Sequence, residues 1–224
     1  MPPPPPTPPA PTPPAPTTTA SVPSQAKDPP LAVAFEDNFE RDKLGDAWRA
    51  TSPVWQIDAG RLCGKQARNH PVWFARTLPT NVRFEFDATT QSPDGDLKAE
   101  FFGDGVSSAQ TVSYTNATSY LTIFGGWKNA WHVLARIDEH APNRPQIRVV
   151  PDSEDARERP VVAGQIYHFR VERTDGRAIS WWIGDVLMFK FTDADPLVGP
   201  GHDHFGFNDW EVSVCFDNVK VVPL

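Results

Sequence analysis

The sequence predicts an all-β domain, an antiparallel two-sheet sandwich, that follows a proline-rich N-terminal tail. Apolar and polar residues alternate with a period of two along most of residues 31–224, which is the pattern of half-buried strands. Pro and Gly interrupt the chain too often for long helices. Turn residues separate about a dozen strand-like segments, and the alternating helices that a parallel sheet needs are missing from the pattern.

Residues 1–30 have the composition of a disordered tail or linker. They contain 14 of the 25 prolines, no aromatic residue and two charges, Lys27 and Asp28, that cancel. Such a segment buries too little apolar surface to offset the entropy of ordering. We expect a stalk that carries an extracytoplasmic or cell-envelope domain, with a signal or lipoprotein peptide upstream or removed. A cytoplasmic protein with an unusual tail is the alternative.

Residues 31–224 have the size of one domain and carry the whole net charge of −7. Because Lys and Arg are interspersed among acidic residues, no nucleic-acid partner is expected. No apolar run approaches the ~18 residues of a membrane span, and we expect a monomer. Cys63 and Cys215 lie in strand-like segments near opposite ends of the domain. They form either a disulfide typical of an oxidising compartment or two buried thiols.

The strands follow one another with few interruptions. Residues 82–88 alternate strictly, with Arg83, Glu85 and Asp87 on the polar face. Turns at Asp175-Gly176 and Gly184-Asp185 predict a three-strand meander over residues 167–191. The other predicted strands are residues 34–39, 54–57, 61–64, 72–76, 97–103, 119–124, 132–137, 204–208 and 213–222.

Two segments depart from the strand pattern. Residues 40–48 give the best helix signal and predict one or two turns. Residues 142–160 are rich in Pro and charge, and they predict a long polar loop.

Several of these segments resemble a known superfamily. Residues 35–41, Leu44-Gly45 with Trp48, and residues 55–62 resemble the opening of concanavalin A-like lectin/glucanase domains, in particular the family-16-like and 3-keto-disaccharide-hydrolase-like branch. Residues 167–191 resemble the meander of that superfamily, and residues 215–221 resemble its closing strand. The resemblance implies a jelly-roll sandwich whose concave face binds carbohydrate through aromatic platforms and polar side chains. It leaves the activity open, because the superfamily holds lectins and enzymes alike.

Four carboxylates are candidate catalytic groups. Glu85 and Asp87 share one face of a strand, about 6–7 Å apart, and paired carboxylates hydrolyse glycosidic bonds. In family-16 glucanases a Glu-x-Asp-x-Glu strand supplies the nucleophile and the acid/base, but Thr89 stands at the last position here. Glu100 or Glu211 would then supply the second carboxylate. The alternative is a polar outer face with ion pairs between strands.

The candidate carbohydrate contacts are aromatic, amide, imidazole and guanidinium side chains. In residues 201–211, Trp210 would stack on a sugar while His204 and Asn208 hydrogen-bond; a structural turn and a transition-metal site are the alternatives. Trp127 and Asn129 follow paired glycines that permit close approach, although a tight turn explains them equally well. The other candidates are Asn69, His70, Trp73, His132 and Arg144, the last of which would bind an acidic sugar or pair with Glu139.

The resemblance also implies a structural calcium between the first and last strands. Asp217, with Glu36 or Asp37, would supply oxygen ligands, whereas capping of backbone amides by Asp217 is the alternative. No other cofactor is expected. Three functions follow: a carbohydrate-binding domain, a glycoside hydrolase with two carboxylates within about 10 Å, or a laminin-G-like interaction module with a flat rim and no groove.

Overall fold

The computed structural model describes residues 28–224, so the predicted tail lies outside the described residues except for its last three positions. The regular secondary structure of the described chain consists almost entirely of strands. They are β1 (Phe35–Asp37), β2 (Trp48–Ala50), β3 (Gln56–Asp58), β4 (Arg61–Lys65), β5 (Val72–Phe74), β6 (Val82–Thr90), β7 (Leu97–Gly103), β8 (Tyr120–Gly125), β9 (Trp131–Arg136), β10 (Gln146–Arg148), β11 (Ile166–Arg173), β12 (Ala178–Ile183), β13 (Val186–Thr192), β14 (His204–Asn208) and β15 (Ser213–Pro223). A one-turn segment, α1 (Gly126–Asn129), and a short 3₁₀ helix at Ala156–Glu158 complete the fold.

The strands form two antiparallel sheets. The eight-stranded sheet has the order β13-β12-β11-β6-β15-β4-β3, and β1 pairs with the second half of β15. The seven-stranded sheet has the order β10-β9-β8-β7-β14-β5-β2. This arrangement confirms the predicted two-sheet sandwich and its β11–β13 meander.

Aromatic side chains fill the space between the sheets. Phe84 and Phe86 alternate with polar residues along β6 and are fully buried. Phe86 meets Phe207 of the opposite sheet at 5.0 Å between ring centroids, and Phe84 meets Phe205 at the same distance. Each buried Phe contributes about 1.5–3 kcal/mol relative to an exposed one, so this shared layer joins the two sheets.

The helix predicted for residues 40–48 was wrong, and the loop predicted for residues 142–160 is interrupted by two short elements. No helix forms in residues 40–48, and Trp48 begins β2, where it packs on Phe207 with stacked rings 5.4 Å apart. The loop of residues 142–160 contains β10 and the 3₁₀ helix. In both places packing against the sandwich outweighs the local signal.

The N-terminal boundary and the cysteines are also resolved by the structure. Asp28 already contacts the domain through both oxygens to Arg49, and Leu31 is buried in the core. The folded part therefore includes Asp28, three residues before the predicted boundary. Cys63 and Cys215 are opposite each other on β4 and β15 and form a disulfide. Among residues 28–224, no helix is long and apolar enough to cross a bilayer.

Candidate functional site

The outer face of the seven-stranded sheet carries buried polar residues. Along β7, Leu97, Ala99 and Phe101 face the core between the sheets, whereas Lys98 and Glu100 point to the other side. Residues 104–119, which we call the cover loop, fold over part of this outer face. Tyr114 from the cover loop is fully buried against it, so the polar side chains beneath are withdrawn from water.

A cavity of about 460 Å³ opens beside the cover loop, within the usual size range of small-ligand sites. Trp127 and Trp210 contribute its aromatic surface, and both are partly exposed. Its lining consists of Asp94, Asp96, Lys98, Val112, Ser113, Ile123, Trp127, Lys128, Glu139, His140, Trp210, Glu211 and Val212. Aromatic surface beside charged groups is the composition expected for a ligand that is apolar on one face and hydroxylated at its edges.

Lys98 is the centre of the polar network at the cavity floor. Its Nζ donates to Oδ1 of Asn69 at 2.7 Å and to Oε2 of Glu139 at 2.9 Å. Burial alone would lower the pKa of Lys98, but the neighbouring Glu139 and Asp96 carboxylates raise it above its usual range. The ammonium therefore remains charged, and it compensates the buried Glu139.

Asp96 supplies a polar oxygen to the same floor. The residue precedes β7 in a left-handed conformation with φ of 65°, and its Oδ2 accepts the backbone N–H of Trp210 at 2.9 Å. Within residues 28–224, the side chain accepts this one hydrogen bond and Oδ1 has no partner, although the residue is only 8% exposed. Burial raises the pKa of Asp96, while Lys98 and the Trp210 N–H act against that increase.

A left-handed turn holds Trp127 at the cavity edge. Trp127, Lys128 and Asn129 have φ of 53°, 59° and 59°, a conformation that costs about 1–2 kcal/mol per residue outside glycine. The Asn129 amide offsets part of this cost because it donates to Pro93 and Val161 carbonyls and accepts the Val161 N–H. Asn129 is thus committed to the backbone, as the tight-turn alternative predicted.

His132 supports the turn from below. Its Nδ1 accepts the Gly125 N–H at 3.0 Å, and its Nε2 faces the Arg159 carbonyl at 3.0 Å. Burial lowers the pKa of His132 to about 4, while the Arg159 carbonyl acts against that decrease. The imidazole is therefore neutral and fully buried. It does not line the cavity, although the sequence predicted His132 as a sugar contact.

Charged side chains surround the cavity mouth. His140 Nε2 lies 3.3 Å from Oε1 of Glu139, and Arg68 pairs with Glu211 at 3.6 Å. Arg144 lies over Trp127 at 4.5 Å from its ring centroid, which fixes the indole by a cation–π contact. Trp127, Trp210 and Glu211 are the predicted site residues that line the cavity.

Glu85 and Asp87 lie elsewhere in the molecule. They point to the outer face of the eight-stranded sheet, where Asp87 Oδ1 is 2.9 Å from His168 Nδ1 and Arg83 approaches Glu85 at 3.8 Å. This is the polar face with ion pairs that was the alternative interpretation. The strict alternation of β6 forces it, because Phe84 and Phe86 occupy the core side.

Glu100 and Asn208 are buried beneath the cover loop rather than exposed to a ligand. Glu100 accepts hydrogen bonds from Ser119 Oγ at 2.6 Å, from Asn208 Nδ2 at 2.6 Å and from the Tyr114 hydroxyl at 3.0 Å. Burial raises the pKa of Glu100 to about 7, against the effect of these donors. The cluster joins the cover loop to β7 and β14.

The remaining predicted contacts have structural partners. Trp73 is fully buried and donates to the Ser107 carbonyl of the cover loop, so it cannot stack on a ligand. His70 contacts the Ala67 carbonyl. His204 lies between Asp203 and Asp28, at 2.7 and 3.1 Å. Asn69 acts indirectly, because its amide oxygen holds Lys98.

The implied calcium ligands do not fit a cation. Both oxygens of Asp37 are taken by Arg41, at 2.6 and 2.8 Å, and Trp48 donates to Oδ2. Glu36 pairs with Lys220, and Asp217 accepts the Asn218 N–H as the capping alternative predicted. In the described part of the chain, no group of three or more His, Cys, Asp or Glu is placed to hold a metal ion.

Sequence reasoning did not identify Asp96, Lys98 or His140 as site residues, and it named Glu139 only as a partner of Arg144. One signal was present for Lys98. It occupies the middle of a strand in which every residue is buried, and a Lys there requires a buried acidic partner. Asp96 has no such signal, because its placement depends on the backbone of two turns.

Comparisons with known proteins agree on the architecture. No protein-family model matches the chain, and no curated protein matches it in sequence. The carbohydrate-binding module CBM66 from Bacillus subtilis is similar in structure, with 15% identity and a TM-score of 0.53 over 78% of this chain and 94% of that one. A beta-glucanase from Bacillus licheniformis has 10% identity and a TM-score of 0.54 over 87% and 99%. The Emp47p carbohydrate recognition domain has 12% identity and a TM-score of 0.55 over 89% and 99%.

The chain is thus an all-β two-sheet sandwich with a ligand-sized cavity on the outer face of one sheet. Its fold is the concanavalin A-like jelly roll, as the sequence resemblance implied. At these identities the likeness shows the fold alone.

Proposed function

We propose that this domain binds carbohydrate in the cavity between Trp127 and Trp210. The observation that carries the proposal is the combination of two partly exposed indoles with a charged floor in one cavity of about 460 Å³. An indole can stack on the apolar face of a pyranose, while Asp96 Oδ1 accepts from its hydroxyls. Two structural neighbours, a carbohydrate-binding module and a carbohydrate recognition domain, support this assignment.

The side chains at the cavity floor are preorganised for binding. Lys98 and Glu139 are held by each other and by Asn69, and Arg144 fixes the Trp127 ring. Because these groups are already ordered, binding loses little side-chain entropy. A flat laminin-G-like rim is a poorer fit, since the cavity is concave and polar at its base.

The test is a glycan array followed by calorimetry on the glycans retained. Trp127→Ala and Trp210→Ala should each weaken binding about tenfold or more, since about 1.4 kcal/mol of lost stacking is a factor of ten. Trp182→Ala is the matched control, because this indole packs under Arg170 on the opposite sheet, away from the cavity. Equal retention by all three variants, or no retained glycan at all, would contradict the proposal.

Hydrolysis is a second candidate function, which one observation favours. Asp96 and Glu139 are two carboxyl groups in one cavity, and burial raises the pKa of Asp96. Glycosidases use such a pair of carboxyl groups. The contacts of Glu139 with Lys98, Asn69 and His140 restrict it as a base, so the cavity suits binding better than hydrolysis. Release of reducing ends that Asp96→Asn and Glu139→Gln both abolish would establish catalysis, and intact glycans after prolonged incubation would exclude it.

We also propose that the domain functions outside the cytoplasm, at the cell envelope or secreted. The Cys63–Cys215 disulfide is typical of oxidising compartments, and the proline-rich sequence of residues 1–27 suits a spacer. Fractionation with thiol alkylation before reduction checks this. The protein should appear in the extracytoplasmic fraction with neither cysteine labelled. Cytoplasmic protein with both thiols labelled would contradict it.

A further inference from the structure

Acidic side chains outnumber basic ones around the cavity. Four carboxyl groups line it, from Asp94, Asp96, Glu139 and Glu211. The basic lining groups are the ammonium groups of Lys98 and Lys128 and the imidazole of His140. A ligand in the cavity therefore meets more negative than positive charge, at a floor that is shielded from water.

The carboxylates differ in how far they are already compensated. Glu139 pairs with Lys98 at 2.9 Å, and Glu211 pairs with Arg68 at 3.6 Å on the exposed rim. Asp96 has no ion pair within residues 28–224, and only its Oδ2 is engaged, by the Trp210 N–H. The residue is only 8% exposed and lines the cavity, so Oδ1 is a largely buried acceptor at the cavity floor.

We infer that the cavity selects sugar units that present an amino group to Asp96 and rejects units that carry a carboxylate. This inference rests on the proposed carbohydrate-binding function and specifies its ligand class. An ammonium donor to a carboxylate makes a charge-assisted hydrogen bond, about twice as strong as the bond from a neutral hydroxyl. A ligand carboxylate would instead face Asp96 and Glu139 at low dielectric, where like charges repel strongly.

The nearby cations do not provide a site for an acidic sugar. Lys98 is engaged by Asn69 and Glu139. Arg144, predicted to bind an acidic sugar or pair with Glu139, instead stacks on Trp127 and is not among the lining residues of this cavity. Lys128 lies on the exposed side of the left-handed turn, where solvent screens its charge. A carboxylated sugar would thus lose hydration without gaining a buried partner.

Oligosaccharides that differ only in their amino, hydroxyl or carboxylate group test the inference. The probes are hexamers of β-1,4-linked glucosamine, glucose and glucuronate, with the galactosamine, galactose and galacturonate series in parallel, measured by calorimetry at pH 6.5 and two salt concentrations. In the series that binds, we expect the amino sugar to bind at least tenfold tighter than the neutral sugar. The uronate should bind at least tenfold more weakly than the neutral sugar.

Two variants separate the site from the overall charge of the domain. Asp96→Asn should remove the preference for the amino sugar over the neutral sugar, because Asn carries no charge but keeps an acceptor for the Trp210 N–H. Asp185→Asn removes one charge from the exposed β12–β13 turn and should keep the preference. A preference that survives in Asp96→Asn would overturn the inference, since net charge alone would then cause it.

The outcomes distinguish this inference from the proposed function. Equal affinity for amino, neutral and uronate sugars, abolished by Trp127→Ala, would refute the selectivity and keep the binding site. Tighter binding of uronates would do the same. If neither series binds and the array retains no glycan, the proposed function fails and this inference fails with it.

Discussion

Replacing Glu100 with Gln should change how the stability of the domain depends on pH. Glu100 is fully buried between β7, β14 and the cover loop, and it accepts hydrogen bonds from Tyr114, Ser119 and Asn208. Gln has the same shape and can keep these contacts, because its oxygen can face Asn208 while its amide donates to the Ser119 hydroxyl. The substitution therefore removes a titrating charge with little change in packing.

The direction of the pH dependence follows from the pKa of Glu100 in the unfolded and folded states. In the unfolded chain the carboxyl has its ordinary pKa of 4.5, whereas burial raises the pKa of Glu100 to about 7 in the folded state. The folded state holds the proton more tightly, so the charge costs stability as the pH rises from 4.5 to 7, and the full cost is present above pH 7. The gap between these values corresponds to about 3 kcal/mol.

Urea unfolding followed by Trp fluorescence measures this cost. Between pH 4.5 and 8.5, the free energy of unfolding of Glu100→Gln should rise relative to the wild type by about 3 kcal/mol. Burial raises the pKa of Asp209 to about 7 and lowers that of His132 to about 4, but both groups titrate in both proteins and cancel in the difference. Glu211→Gln, at an exposed carboxylate, should differ from the wild type by under about 0.5 kcal/mol throughout. A wild-type-to-variant difference that stays constant with pH would refute the reasoning.

Three other predictions concern the disulfide, the turn and the buried ion pair. Cys63→Ser with Cys215→Ser should lower the free energy of unfolding by about 2–5 kcal/mol in urea titrations, because the bond joins positions 152 residues apart. An unchanged free energy of unfolding when the wild type is reduced would contradict this. Asn129→Ala should cost about 1–3 kcal/mol through three lost hydrogen bonds and weaken glycan binding, whereas unaltered affinity would argue against a role for the turn. Lys98→Met should lower the free energy of unfolding by about 3–5 kcal/mol, since Glu139 is left buried and unpaired. The double variant Lys98→Met with Glu139→Gln should recover part of that loss. A double variant no more stable than Lys98→Met would contradict the pairing argument.

Strand prediction succeeded where a strand has one face in the core. In β6 each alternate residue is fully buried, so the pattern Val82–Thr90 is visible in the sequence alone. It failed for β2 (Trp48–Ala50) and β10 (Gln146–Arg148), which are three residues long. Both lie at the outer edges of the seven-stranded sheet. β1, β3 and β5 are equally short and were predicted, so at this length the pairing with a neighbouring strand decides whether a strand forms, rather than the period.

The period of two also explains why Glu85 and Glu100 were predicted in a ligand site that they do not line. A period of two assigns Glu85 and Glu100 to the polar faces of β6 and β7, but it does not say which of these faces is covered by a loop or hollowed into a cavity. The structure puts Glu85 on an open, ion-paired surface and Glu100 under the cover loop. Neither lines the cavity. Trp127 and Trp210 were found because Trp127 follows paired glycines and Trp210 lies in the unusual segment of residues 201–211.

Two turns that are distant in sequence jointly build the cavity, and this is what the sequence conceals. The Asp96 N–H donates to the Gly125 carbonyl at 2.9 Å, so the start of β7 is bonded to the end of β8. A Cβ on Gly95 would collide with that carbonyl, and Gly125 itself has φ of 76°. The acceptor Asp96 and the aromatic wall Trp127 therefore depend on one backbone contact that only glycines permit. A substitution of either glycine would therefore displace the Asp96 carboxyl group and the Trp127 ring together.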